Sequence, residues 1–255
     1  MRYTTVFLLC LVWQIAIAEE HWQKPEYIVQ SFLEVALGSE FGGAKEIVHK
    51  WVKPVRILVT HQVGDEALHE TLLDAHIAHL ILITGHDIKR VQRAEQANVR
   101  LFFTRESLLI PLIKQHSGEA SAAHERGAIC LAGFRTNVAD EIASASIYIP
   151  VDRARQKAKL LACIVEELTQ VMGLPRDSDR VYPSVFNDKT PDDLLTGLDD
   201  ILLRVLYDPR MRAGLNRKQV LNVTPDIVKD LDRQGLIKNA AFRVRKQGAL
   251  YRYYQ

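Results

Sequence analysis

Apolar and polar positions alternate along this chain with two periods. Ile28, Phe32, Val35 and Ala36 recur at helical spacing, predicting a helix over 25–41 that ends at Gly42-Gly43. Val55, Ile57 and Val59 alternate with Arg56 and Leu58, predicting a strand within 51–60. A helix over 65–79 follows, with Leu68, Leu72 and Ala75 on one face. Further strands are expected over 80–84, 99–104, 128–134 and 144–151. A polar helix is expected over 88–96, and a short helix weakened by Pro111 over 107–115.

Beyond residue 151 the helical period dominates. Asp152 predicts the N-cap of a long helix whose apolar stripe is Leu161, Val165, Leu168 and Met172. Gly173, Leu174 and Pro175 form its stop signal. A polar loop over 176–193 leads to Thr196, which caps another helix with Asp199 three positions on. Leu198, Ile201, Leu202, Val205 and Leu206 form that helix's buried face. Thr224 is expected to cap a short helix through Leu231, and 242–254 reads as a hairpin turning at Gln247-Gly248. This order predicts an α+β domain: a mixed sheet packed on one long helix, with a helical C-terminal part.

Composition narrows the classes. Hydrophobic residues make up 47% of the 255 residues and charged residues 25%, enough for a core and against disorder. A formal net charge of +2 gives no reason to expect nucleic acid. Arg2, the apolar run from Val6 to Ile17 and Ala16-Ile17-Ala18 read as a leader cleaved near Ala18, which predicts a periplasmic or secreted protein. That run is too short for a membrane span and Gln14 interrupts it, so the mature chain is expected to have none. The expected division is a leader over 1–18, a domain over 19–214 and a C-terminal extension over 215–255. Losing the leader removes Cys10 and leaves Cys130 and Cys163, an even count that predicts a disulfide in an exported chain.

Candidate chemistry gathers on the long helix. In a HExxHxxG helix, two histidines at i and i+4 share one face and hold zinc, while the intervening glutamate activates water. Here Glu166 and Gln170 stand at the histidine positions, Glu167 keeps the glutamate's place, and Gly173 follows at the same spacing. Arg176 falls where a third ligand would stand, and its guanidinium cannot ligate. The site has no imidazole, so no zinc or other cofactor is expected. Arg176 is expected to take the metal's place by pairing with Glu166 or Glu167. Asp177, Asp179, Asn187 and Asp188 add loop oxygens whose spacing matches no EF-hand. His61, His69, His76, His79 and His86 read as polar surface, and the basic and aromatic residues of 242–254 as a packing hairpin.

The run from Cys163 to Gln170, then Gly173-Leu174, Ser184-Val185-Phe186-Asn187-Asp188 and Leu206-Tyr207-Asp208-Pro209-Arg210, resembles the bacterial family of exported proteins that carry the domain of unknown function 2927. The resemblance runs from about Phe32 to Gly214 and includes Trp51 and Pro54-Val55-Arg56. A more distant resemblance is to zincin metallopeptidases. The helix ending in Gly-Leu is similar to their active-site helix, Ser184-Val185-Phe186 lies where they turn beneath the metal, and the segment up to Tyr207 is similar to their packing helix. These resemblances imply a zincin-like fold with a degenerate site. The expected function is a noncatalytic, pseudo-peptidase module binding an envelope protein, peptide or glycan, with Glu166, Gln170, Arg176 and Asp177 in its site. The alternative is a hydrolase of envelope material with Glu167 as general base.

Overall fold

The computed structural model describes residues 20–38, 46–123 and 128–254. The leader with its cleavage site near Ala18 and the Gly42-Gly43 stop lie outside the described residues; the first helix, expected to run to Phe41, ends at Ala36, where Leu37 turns extended. Five strands, β1 (Val55–His61), β2 (Ile88–Val91), β3 (Val99–Thr104), β4 (Leu131–Thr136) and β5 (Ile142–Pro150), form one sheet ordered β2-β1-β3-β5-β4. Pairing is parallel except for β4, which runs antiparallel to β5 at the sheet edge. Parallel neighbours need a crossover, and α2 (Glu66–Thr84) supplies it between β1 and β2. The architecture is mixed α/β, with a mostly parallel sheet.

Burial alternates along the strands as a two-faced sheet requires. Ile57, Val99, Ala145 and the residues two further on point to one face, where they share a core with Leu73, Ile77 and Leu80 of α2. Ile164, Val165 and Leu168 of α6 (Leu160–Gln170) join the same core. On the other face Phe102, Tyr148 and Leu131 meet Leu109, Leu112 and Ile113 of α3 (Glu106–Ser117). The short helix α4 (Glu119–Ala122) follows α3 directly. Beyond the sheet, α1 (Pro25–Ala36) packs against α7 (Gly197–Tyr207) and α8 (Arg217–Arg233), and α9 (Ala240–Gln247) packs on α7. No helix among the described residues is long and apolar enough to cross a membrane.

Several elements differ from the sequence expectation. Residues 80–84 are the end of α2, not a strand. Leu80 and Ile83 are buried, Ile81 and Leu82 exposed, and the helix stops only at Gly85, whose N–H reaches Ile81 O. Residues 88–91 form the edge strand β2, and its polar side chains reflect that edge. The long helix is broken: α5 (Val151–Gln156) ends near Ala158, which has φ +55°, and α6 begins at Leu160. Asp152 does not cap α6. Its Oδ1 accepts N–H bonds from Glu106 (2.9 Å) and Arg153 (3.1 Å), joining the starts of α3 and α5. Asn216 caps α8 through a capping box with Gln219, leaving Thr224 inside the helix. The hairpin expected over 242–254 is instead α9 followed by a 3₁₀ turn. Ala240 and Val244 are buried at helical spacing, whereas Phe242 points outward. Thr196 and Asp199 form the expected capping box at the start of α7.

The end of α6 is held from three sides. Trp51 Nε1 donates to Val171 O (2.8 Å) and Tyr207 Oη to Met172 O (2.9 Å). Lys50 Nζ donates to Leu206 O (2.7 Å) and Met211 O (2.9 Å), and burial lowers its pKa to about 8. Gly173 has φ +117°, and a Cβ there would lie 2.2 Å from His49 O. Gly173→Ala is therefore expected to cost more than about 3 kcal/mol or to prevent folding, read by denaturant unfolding. A loss below about 1 kcal/mol would show that this backbone approach is soft.

The histidines of α2 are core residues, correcting the surface reading. His69, His76 and His79 are buried because α2 packs on its neighbours on several sides: His69 stacks on Phe103 of β3, His76 Nε2 lies 3.0 Å from Thr169 Oγ1 of α6, and His79 lies near Asp200 of α7. Burial is the main cause lowering their pKa values to about 4, 3 and 4. Each folded value lies below the unfolded value of 6.5, so the unfolded chain takes up these protons first as pH falls. Stability is thus highest above pH 6.5 and declines toward pH 4, by about 1.4 kcal/mol per pH unit for each histidine. Asp199, raised by burial to about 6 from 3.8, acts oppositely with one proton against three. The melting temperature should fall from pH 7 to pH 5, and His76→Leu should make the slope shallower. A flat profile would contradict neutral burial of these rings.

Candidate functional site

Two turns of one helix build the site. Cys163, Glu166, Glu167 and Gln170 stand at i, i+3, i+4 and i+7, so they share one face of α6, and all four line a cleft of about 320 Å³. The disulfide between Cys130 and Cys163, with Cα atoms 5.9 Å apart, fastens that face to the segment entering β4. Ala128 and Ile129 complete this wall.

The loop after Gly173 supplies the opposite wall. Ser178 N donates to Phe186 O (2.8 Å), which brings the loop's two limbs together, with Asp177 on one and Asp188 on the other. The turn at 184–186 is anchored by buried Asp199. Its Oδ1 accepts from Ser184 Oγ (2.6 Å), and its Oδ2 from the N–H groups of Val185 (3.2 Å) and Thr196 (2.8 Å). Asn187 donates its amide to Asp179 O and Val181 O, so it holds the loop's shape.

Across the cleft, Gln170 Nε2 donates to Asp177 Oδ1 (2.9 Å). Glu166, Asp177 and Asp188 each present one carboxylate oxygen within 4.8 Å of the others. Glu167 is 5% exposed and forms part of the wall. Lys159 closes the far end through Asp193 (2.6 Å). Among the described residues the lining thus holds six carboxylates, Glu166, Glu167, Asp177, Asp188, Asp192 and Asp193, and one cation, Lys159.

Arg176 is placed elsewhere. It does not line the cleft. Its N–H donates to Val35 O (3.2 Å), and its guanidinium faces Gly38. Among the described residues it forms no ion pair, so the expected pairing with Glu166 or Glu167 is not formed. The backbone bonds of Arg176 to Val35 O and of Ser178 to Phe186 O fix this segment on either side of Asp177. Lys159, Asp192 and Asp193 escaped the sequence reading. Their one signal was the acidic density of 188–193.

Chemically, the cleft offers oxygen donors and a neutral amide. Among the described lining there is no imidazole, and the Cys163 sulfur is held in the disulfide. This set does not fit zinc, which prefers nitrogen and sulfur, and suits a hard cation, an ammonium or a guanidinium.

Residues 25–226 match the model of a family described as a protein of unknown function, DUF2927. The chain belongs to the DUF2927 family. The match spans every element that builds the cleft and ends inside α8. A search among curated proteins finds no match. In this DUF2927 protein the disulfide closes a 33-residue separation next to the cleft. Replacing both cysteines by alanine should therefore lower stability by about 3–4 kcal/mol in denaturant unfolding. An unchanged midpoint would show that packing alone holds this wall.

Proposed function

We propose that this DUF2927 protein is an exported, noncatalytic binding module whose carboxylate-lined cleft receives a positively charged group of an envelope peptide, protein or glycan. The observation that carries this reading is the hydrogen bond from Gln170 to Asp177. At the position where a peptidase would place its second imidazole, the amide braces an acidic wall. A zincin-like ancestry is supported by the succession of elements: a sheet lying over α6, the Gly173-Leu174 stop, the turn at 184–186 and the packing helix α7. Export is supported by the leader-like N-terminus and the disulfide, since such bonds persist in oxidising compartments.

Among the described lining residues six carboxylates stand against one lysine, and their negative potential acts inside a concave, partly desolvated site, where charge-assisted hydrogen bonds to lysine, arginine or amino-sugar groups are strongest. The second reading, a hydrolase, is favoured by one observation: Glu167 keeps the general-base position and is buried in the cleft wall.

Calorimetric titration with a lysine- and arginine-rich peptide and an acidic peptide of equal length separates these readings. The basic peptide should bind saturably, the acidic one should not, and the Asp177→Asn, Asp188→Asn double variant should weaken binding about tenfold or more while remaining folded. Stoichiometric zinc in protein purified without chelator, together with peptide hydrolysis lost in Glu167→Gln, would replace the binding reading with the enzymatic one.

A further inference from the structure

We propose a second site, on the sheet face away from α6, that binds a tetrahedral oxyanion: phosphate or sulfate, free or as the end group of a larger molecule. It is independent of the acidic cleft and of the function proposed for it.

Strand register assembles this site. Arg100 of β3 pairs with Ser146 of β5, which pairs with Gly133 of β4. One step along, Ser144 pairs with Arg135. These residues continue the rows of Phe102, Tyr148 and Leu131, so their side chains leave the sheet on that same face. The apolar rows are covered by α3. The cover stops where α3 ends at Ser117, and a cavity of about 280 Å³ opens over the polar rows, with His116 at its rim.

The charge of this cavity is one-sided. Arg100, Arg135 and His116 line it, and no aspartate or glutamate among the described residues does. Elsewhere on the sheet and its flanking helices, arginines pair with carboxylates: Arg56 with Asp87, Arg90 with Glu70 and Asp74, Arg153 with Glu106. Arg100 is half-buried and forms no ion pair among the described residues. Arg135 makes one long bond to Ser117 O (3.3 Å). Two guanidiniums facing one cavity repel unless an anion lies between them. The field of Arg100 is felt at the rim, where it adds to burial in lowering the pKa of His116.

Geometry selects the anion. β3 and β4 stand either side of β5, about 10 Å apart, so the two arginine side chains can converge from opposite sides above the Ser144 and Ser146 hydroxyls. Donors from the two flanks, the floor and the rim exceed what a planar carboxylate accepts and suit three or four oxygens. Gly133 leaves the room: a Cβ there would meet no atom within 4 Å.

The test is calorimetric titration of the full chain at low ionic strength with sodium phosphate, sodium sulfate and glucose 1-phosphate. Saturable binding is expected, weakened about tenfold or more by Arg100→Ala and by Arg135→Ala. Arg100→Lys should also bind more weakly, because an ammonium lacks the two-pronged donor. Gly133→Asp places a carboxylate in the open space; it should abolish binding while thermal unfolding without anion stays unchanged, which keeps the test decisive if an arginine variant unfolds. Tighter binding of phosphate than of the ester assigns the site to the free ion, and the reverse order to an end group. No saturable binding of any of the three, or undiminished binding by a folded Gly133→Asp protein, would overturn the proposal.

Discussion

The close approach of backbone to backbone at Gly173 is the constraint on which the rest of the structure depends. At φ +117° the chain leaves α6 directly against the His49 carbonyl, in a space that no side chain can share. Trp51 and Tyr207 bind the two preceding carbonyls, and Lys50 binds the end of α7 and the turn after it. The helix, the segment before β1 and the C-terminal helices therefore meet at one point. Because α6 is fixed in rotation there, Glu166, Glu167 and Gln170 face a common space, and the loop leaves in the direction that brings Asp177 back to Gln170.

From that fixed end the cleft follows as a closed frame. The disulfide holds the helix one turn before Glu166, Asp199 holds the returning loop, and Lys159 with Asp193 holds the far side. Asp199 has its pKa raised by burial even though Ser184, Val185 and Thr196 all donate to its carboxylate. Its value lies in shape: it fixes the turn at 184–186 against the start of α7. With the walls held by a covalent bond, an ion pair and the buried Asp199 behind the loop, acidic side chains can gather across a small gap without spreading it.

What was legible in the sequence was local. The stop at Gly173-Leu174-Pro175 and the Thr196–Asp199 capping box need only neighbouring residues, and both are present. The shared face of Glu166, Glu167 and Gln170 follows from helical spacing, and the cysteine pair from an even count. What was not legible depends on partners far away in sequence. The apolar run at 80–84 fits strand or helix until α6 and α7 are seen against α2. The histidines of α2 look polar until the strands, α6 and α7 bury them. Arg176 and Asp177 are equally plausible beside the helix, and only the bond between Ser178 and Phe186 decides that the carboxylate turns in.

The junction between α1 and α8 bears on where this family's unit ends. The family match stops at residue 226, midway through α8, while Ile227, Val228 and Leu231 of that helix are buried in the common core. Arg243 of α9 forms an ion pair with the fully buried Asp200 of α7. A fragment trimmed to the matched span would uncover an oily stripe along α1 and strip the buried Asp200 of one of its two arginine partners, leaving it Arg204 alone. The physical module is longer than its shared pattern, and the last thirty or so residues are an inner wall of the same building.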